Sequence, residues 1–129
     1  SNMEFRLRRA AGAEAEIPRA GHEGIRLFKV GRQIAGEPAD DVGGVWQKCT
    51  PDTAAEFSAV AYYFARDLHR ETGVPVGMIT AAWGGTPAEA WAAPAVTRDD
   101  PDYAPVYAEW EAYRRNYPVI KKRHDEEMA

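Results

Sequence analysis

The sequence predicts an α/β fold, and three features carry that prediction. Residues 53–72 have the apolar spacing of an amphipathic helix. After Gly73 comes an apolar run, residues 74–82, with the character of a strand buried on both faces. That run ends in the diglycine Gly84-Gly85, where a strand should stop and a short helix begin. Helix, buried strand and glycine-rich turn in that order form the trailing half of a βαβ unit.

Residues 1–24 are mostly polar, and 13–20 read as a short helix followed by a turn at Pro18. Ile25-Arg26-Leu27-Phe28-Lys29 alternates apolar and basic side chains, the period of a strand with Ile25 and Leu27 on one face. Residues 31–44 collect Gly, Pro and Asp and read as loop. Residues 45–48 read as a brief extended piece packed by Trp46. Thr53 and Glu56 have the spacing of a capping box for the main helix. Its predicted apolar stripe is Phe57, Ala61, Phe64 and Leu68, widened by Tyr62 and Tyr63, and Gly73 suits the left-handed position past its end. Residues 87–92 predict a short helix with Pro87 in its first turn. Residues 102–123 are helical in period, with Pro118 expected to kink or interrupt them.

With 129 residues the chain has the length of one domain, read as a core portion over 1–96 and a helical insertion or extension over 97–129. A hydrophobic content of 45% allows a packed core and excludes a disordered tail. The net charge of −4, with no basic stripe, argues against nucleic acid as a partner. No apolar run approaches the ~18 residues of a membrane-spanning helix. The one cysteine, Cys49, has no partner for an internal disulfide and reads as a buried thiol. No Cys pair or His-x₃-His spacing points to a metal, and the Asp40-Asp41 and Asp99-Asp100 pairs read as solvated turns.

The chemistry concentrates at two places. A diglycine between a strand and a helix can aim backbone N–H groups at one point, which makes Trp83-Gly84-Gly85-Thr86 a candidate anion site. At the other end, Ser1-Asn2-Met3-Glu4-Phe5 offers a hydroxyl. Together these stretches resemble the sialate O-acetylesterase family, carbohydrate esterases of the SGNH-hydrolase type. Ser1 to Phe5 looks like that family's Gly-Gln-Ser-Asn-Met block without its first two residues, and Trp83 to Trp91 looks like its Trp-Gly-Gly-Thr block followed by Glu-Ala-Trp. Trp46, Cys49, Pro51, residues 57–64 and residues 73–77 are similar to the family in the same order.

The resemblance implies part of a three-layer α/β/α sandwich with a parallel sheet, and hydrolysis of acetyl esters on sugar hydroxyls without a cofactor. It implies Ser1 as nucleophile, with Asn2, Gly84, Gly85 and Thr86 holding the oxyanion and substrate. Ser-Asn ahead of Met is also what a cleaved purification tag leaves, so two origins of Ser1 stand side by side. The family's C-terminal His motif has no counterpart, and His22, His69 and His124 read as solvated surface. Glu89 and Trp91 either shape the site or pack the short helix. The row Tyr103, Tyr107, Trp110, Tyr113 and Tyr117 reads as core, interface or sugar-stacking platform. The expected partner is an acetylated carbohydrate and the expected location secreted or periplasmic. The alternative reading is a non-catalytic carbohydrate-binding module or one that self-associates into a homo-oligomer.

Overall fold

Side-chain alternation sets the centre of the first unit. In the computed structural model, which describes residues 2–35 and 39–128, strand β1 (His22–Lys29) buries Ile25 and Leu27. It turns Arg26 and Phe28 to the opposite face. Strand β3 (Val76–Thr80) runs parallel to β1, in register from Ile25↔Val76 to Lys29↔Thr80. Strand β2 (Trp46–Cys49) pairs antiparallel on the other side, giving the order β2-β1-β3. The α/β class therefore holds, with a small mixed sheet. Parallel pairing holds for β1 and β3. The β1–β2 link supplies no crossover helix among its described residues, and an antiparallel return needs none.

Helix formation departs from the single element predicted over 53–72. Two helices form: α2 (Pro51–Ala55) and α3 (Ala59–Thr72). The capping box belongs to Thr50, whose hydroxyl accepts from the Thr53 N–H while the Thr53 hydroxyl accepts from the Thr50 N–H. Glu56 closes α2 instead of capping, and Ser58 caps α3 by accepting from the Ala61 N–H. Gly73 ends α3 at φ 70°, as its sequence position predicts.

The buried face of α3 is also rotated from the predicted stripe. Ala59, Ala61, Tyr62 and Ala65 are buried, whereas Phe64 is 60% and Leu68 38% exposed. Small side chains let the helix approach β1 and β3 closely, so the bulky ones turn outward. Strand β3 is likewise buried on one face only. Val76 and Thr80 point inward, while Ile79 is 61% exposed beside Phe28 and Trp46, whose rings lie 5.2 Å apart. No helix covers that second face among the described residues of this unit, which spans Ser1–Thr86.

The N-terminal segment is anchored by a buried side chain, by ion pairs and by backbone bonds around an isolated bridge between Arg6 and Ser58. Leu7 is fully buried and its N–H donates to the Phe57 carbonyl at 3.0 Å. The Phe5 carbonyl accepts from the Ala59 N–H at 2.8 Å, and Arg6 and Arg8 both pair with Glu56. Behind it, α1 (Ala13–Glu16) leads into a 3-10 turn, Ile17–Arg19.

Glu16 fastens that turn to α3, accepting from the Tyr62 hydroxyl and from Arg66, both at 2.8 Å. The Tyr62 proton is thus committed to Glu16, so at the 3.3 Å contact His22 Nε2 carries the proton and donates to the Tyr62 oxygen. Cys49 is 3% exposed, as predicted, and its thiol donates to the Ala20 carbonyl at 3.3 Å. Burial pushes that thiol above its usual range, against the smaller opposite effect of the His22 N–H.

The second unit, Pro87–Ala129, is helical. A 3-10 turn, Ala88–Trp91, precedes α4 (Pro94–Thr97), and a second, Pro101–Tyr103, leads into α5 (Ala104–Glu127). The Thr97 and Tyr107 hydroxyls lie 2.7 Å apart and join α4 to α5. Pro118 sits inside α5, which continues through it without the predicted interruption. Trp110, Tyr113 and Tyr117 are each close to half exposed and follow one another at ring distances of 5.7 and 5.9 Å. Among the described residues no helix is long and apolar enough to cross a membrane.

Two outcomes follow from this packing. Leu7→Ala should lower unfolding free energy by about 2–5 kcal/mol, since a fully buried leucine leaves a cavity; urea titration measures it. Stability should also fall in two stages as pH drops. Burial, then the nearby His69, holds the His22 imidazole below its ordinary 6.5, so its contribution is complete above that value and is lost as pH falls through the folded value. Burial raises the Glu16 carboxyl, but its hydrogen bonds from Arg66 and Tyr62 outweigh this and leave it below 4.5, so a second loss follows in the acid carboxylate range. Urea midpoints across that pH series check both stages.

Candidate active site

Parallel strands bring their carboxyl ends to one edge of a sheet, and in open α/β sheets ligands bind there. β1 ends at Lys29 and β3 at Thr80, and both residues line a small recess with Met3, Glu4, Glu56, Ser58 and Ala82. The amino end of α3 borders the same recess through Ser58. Four separate stretches of chain therefore meet where the two parallel strands stop.

Glu4 ties the N-terminal stretch to the segments that follow β1 and β3. One carboxylate oxygen accepts from the Gly84 N–H at 2.6 Å, bridging eighty positions in sequence. The other oxygen pairs with the Arg32 guanidinium, which arrives from the loop after β1. Arg32 also lies over the Trp83 ring, 5.2 Å from its centroid. The contacts close a ring: carboxylate to amide, amide to indole along the chain, indole to guanidinium, guanidinium to carboxylate. The Arg32 hydrogen bond, then the Gly84 N–H, hold the Glu4 carboxyl below its usual range, outweighing the raising effect of burial. Lys29 adds a weaker pull in the same direction.

The diglycine turn is built for close approach. Gly85 has φ 82°, in the left-handed region that favours glycine. The Thr86 hydroxyl donates to the Trp83 carbonyl at 2.7 Å and closes the turn. The Gly85 N–H donates to no acceptor among the described residues.

The sequence-predicted residues are placed unevenly. Gly84, Gly85 and Thr86 share this turn. Asn2 opens a 3-10 turn, Asn2–Glu4, that delivers Glu4 to Gly84. Ser1 lies outside the described residues. His22 begins β1, at the end opposite the recess and about 23 Å away by strand rise. His69 lies in the last turn of α3, away from Ser58, and its Nδ1 donates to the Val74 carbonyl at 2.7 Å. His124, Glu89 and Trp91 belong to the helical unit. Among the described residues no cluster of His, Cys, Asp and Glu could hold a metal ion.

In the sequence Glu4 is one residue of its block with no role of its own, and Arg32, a lone arginine in a glycine-rich loop, carries no periodic signal.

No protein-family model matches the chain. It is 32% identical over 100 residues to sialate O-acetylesterase of Rattus norvegicus, an alignment covering 70% of this chain and 18% of the relative. The Homo sapiens sialate O-acetylesterase is 31% identical over 100 residues, covering 70% of this chain and 19% of that protein. Among solved structures, a carbohydrate acetylesterase from Xanthomonas citri superposes with a TM-score of 0.73 at 38% identity, covering 78% of this chain and 23% of that one. The chain thus spans about a fifth of the length of the curated relatives it matches.

The turn geometry makes one measurable claim. Gly85→Ala should cost about 1–2 kcal/mol through backbone conformation alone, because a Cβ there meets nothing within 4 Å. Gly21→Ala, equally unobstructed and without a left-handed φ, should be neutral or slightly stabilising. Paired urea titrations compare them.

Proposed function

With the chain a partial sialate O-acetylesterase-like one, we propose that it carries the nucleophile and oxyanion portion of a carbohydrate O-acetylesterase. In this reading the Ser1 hydroxyl attacks the carbonyl carbon of an acetyl ester on a sugar. The carbonyl oxygen becomes an oxyanion, held by the Ser1 N–H and by an N–H of the Gly84-Gly85 turn. Each such donor is worth about 2.7–4 kcal/mol of transition-state stabilisation. Collapse breaks the bond to the sugar oxygen, which leaves with a proton, and water then releases acetate from the acetyl-serine. In the same reading Asn2 and Thr86 bind substrate.

The Glu4–Gly84 hydrogen bond carries the reading. It joins the N-terminal block to the diglycine block at the carboxyl edge of β1 and β3, and only Asn2 and Met3 separate Ser1 from Glu4 in sequence. The base that takes the serine proton is assigned outside these two blocks, since His22 and His69 lie at the other end of the first unit.

A second reading, a non-catalytic carbohydrate-binding or self-associating module, draws on the exposed row Trp110, Tyr113 and Tyr117. Light scattering and binding to acetylated glycans test it. For the esterase, hydrolysis of p-nitrophenyl acetate by the full chain is compared with that of Ser1→Ala. The rate should drop in the variant, and equal rates would remove Ser1 from the mechanism.

A further inference from the structure

We propose that Glu4 is a positioning residue for the oxyanion turn: it takes the Gly84 N–H as a tether and leaves the Gly85 N–H as the donor that meets the oxyanion. The inference rests on the esterase reading and assigns the two glycines different tasks.

A turn containing two glycines is conformationally permissive. To hold an oxyanion donor to within a fraction of an ångström of the nucleophile, something outside the turn has to fix it. Glu4 does so from within the N-terminal block itself. That block is in turn pinned by the buried Leu7, by the Ala59-to-Phe5 hydrogen bond and by the pairing of Arg6 and Arg8 with Glu56. Nucleophile block and oxyanion turn are thereby referenced to each other through one short bond between an ionised acceptor and an amide, 2.6 Å long.

One N–H has one proton. With that of Gly84 committed to a carboxylate, an oxyanion would have to compete with a fixed anion for it. The Gly85 N–H, one residue on, has no acceptor among the described residues. A bare carboxylate so near would oppose a developing negative charge. Arg32 neutralises it from the other side while stacking on Trp83, so the tether stays in place without repelling the oxyanion. The other charged groups facing Glu4 are Lys29 and Glu56, which share its recess, and Glu56 is itself paired with Arg6 and Arg8.

The test is ¹H–¹⁵N spectroscopy of the full chain from pH 7 down to about pH 3. The Gly84 amide proton should lie downfield and move upfield on acidification, with a midpoint below the ordinary glutamate value. Glu4→Gln should abolish that titration. Arg32→Met should raise its midpoint toward the ordinary value, and it decides the matter if Glu4→Gln does not fold. Methylboronic acid, which forms a tetrahedral adduct with a serine hydroxyl, should then shift the Gly85 amide and leave Gly84 in place. A Gly84 amide that does not titrate, a midpoint unmoved in Arg32→Met, or a boronate shift at Gly84 instead of Gly85 would overturn the proposal. Failure of the esterase reading has a separate signature. Ser1→Ala would then leave hydrolysis unchanged and the boronic acid would move neither amide, while the Gly84 titration persisted.

Discussion

Two parallel strands cannot be joined by a hairpin, and that constraint organises the first unit. Strand β2 first carries the chain leaving β1 back, its last residue Cys49 lying opposite His22, and α3 then makes a second descent, from Ser58 at the rim to the starting edge from which β3 begins. In doing so it brings its own amino end, the end of β1 and the end of β3 to one rim. The carboxylate of Glu4 and the cation of Lys29 sit on that rim, and Glu4 links it to the guanidinium of Arg32 and to the diglycine turn. β2, free of that constraint, runs antiparallel and contributes nothing to the recess.

The N-terminal block reaches the rim by another route. Its segment lies over the start of α3, held by Leu7 in the core and by backbone bonds to Phe57 and Ala59. Side-chain burial and a carboxylate tether together fix the described part of this block. The division of labour is clear in energetic terms. Burial of Leu7 supplies affinity for the core and no direction, whereas the hydrogen bonds of Glu4 and Phe5 supply direction at little net stabilisation.

Much of this was legible in the sequence wherever a local rule decides the outcome. The alternation of Ile25 and Leu27, the left-handed cap at Gly73 and the turn at Gly84-Gly85 each follow from the conformational preferences of the residues themselves. The misreadings arose where tertiary packing chose among locally equal options. Thr50 and Thr53 both suit a cap, and the position of α2 against the end of β2 selects Thr50. Phe64 and Leu68 fit an apolar stripe, but close approach to the sheet favours the alanines. The tether between Glu4 and Gly84 spans eighty residues. Neither end carries a local pattern that names its partner, so only the similarity of the two blocks to one family brought them together in advance.

The enclosed sulfur of Cys49 gives the molecule a built-in reporter. It ends β2 opposite His22, donates to the Ala20 carbonyl, and burial favours its protonated, unreactive form. Alkylating reagents reach it only when the sheet parts from the 3-10 turn that precedes β1. The speed of its modification thus reads how often the first unit opens, at a position remote from the recess and without any added label.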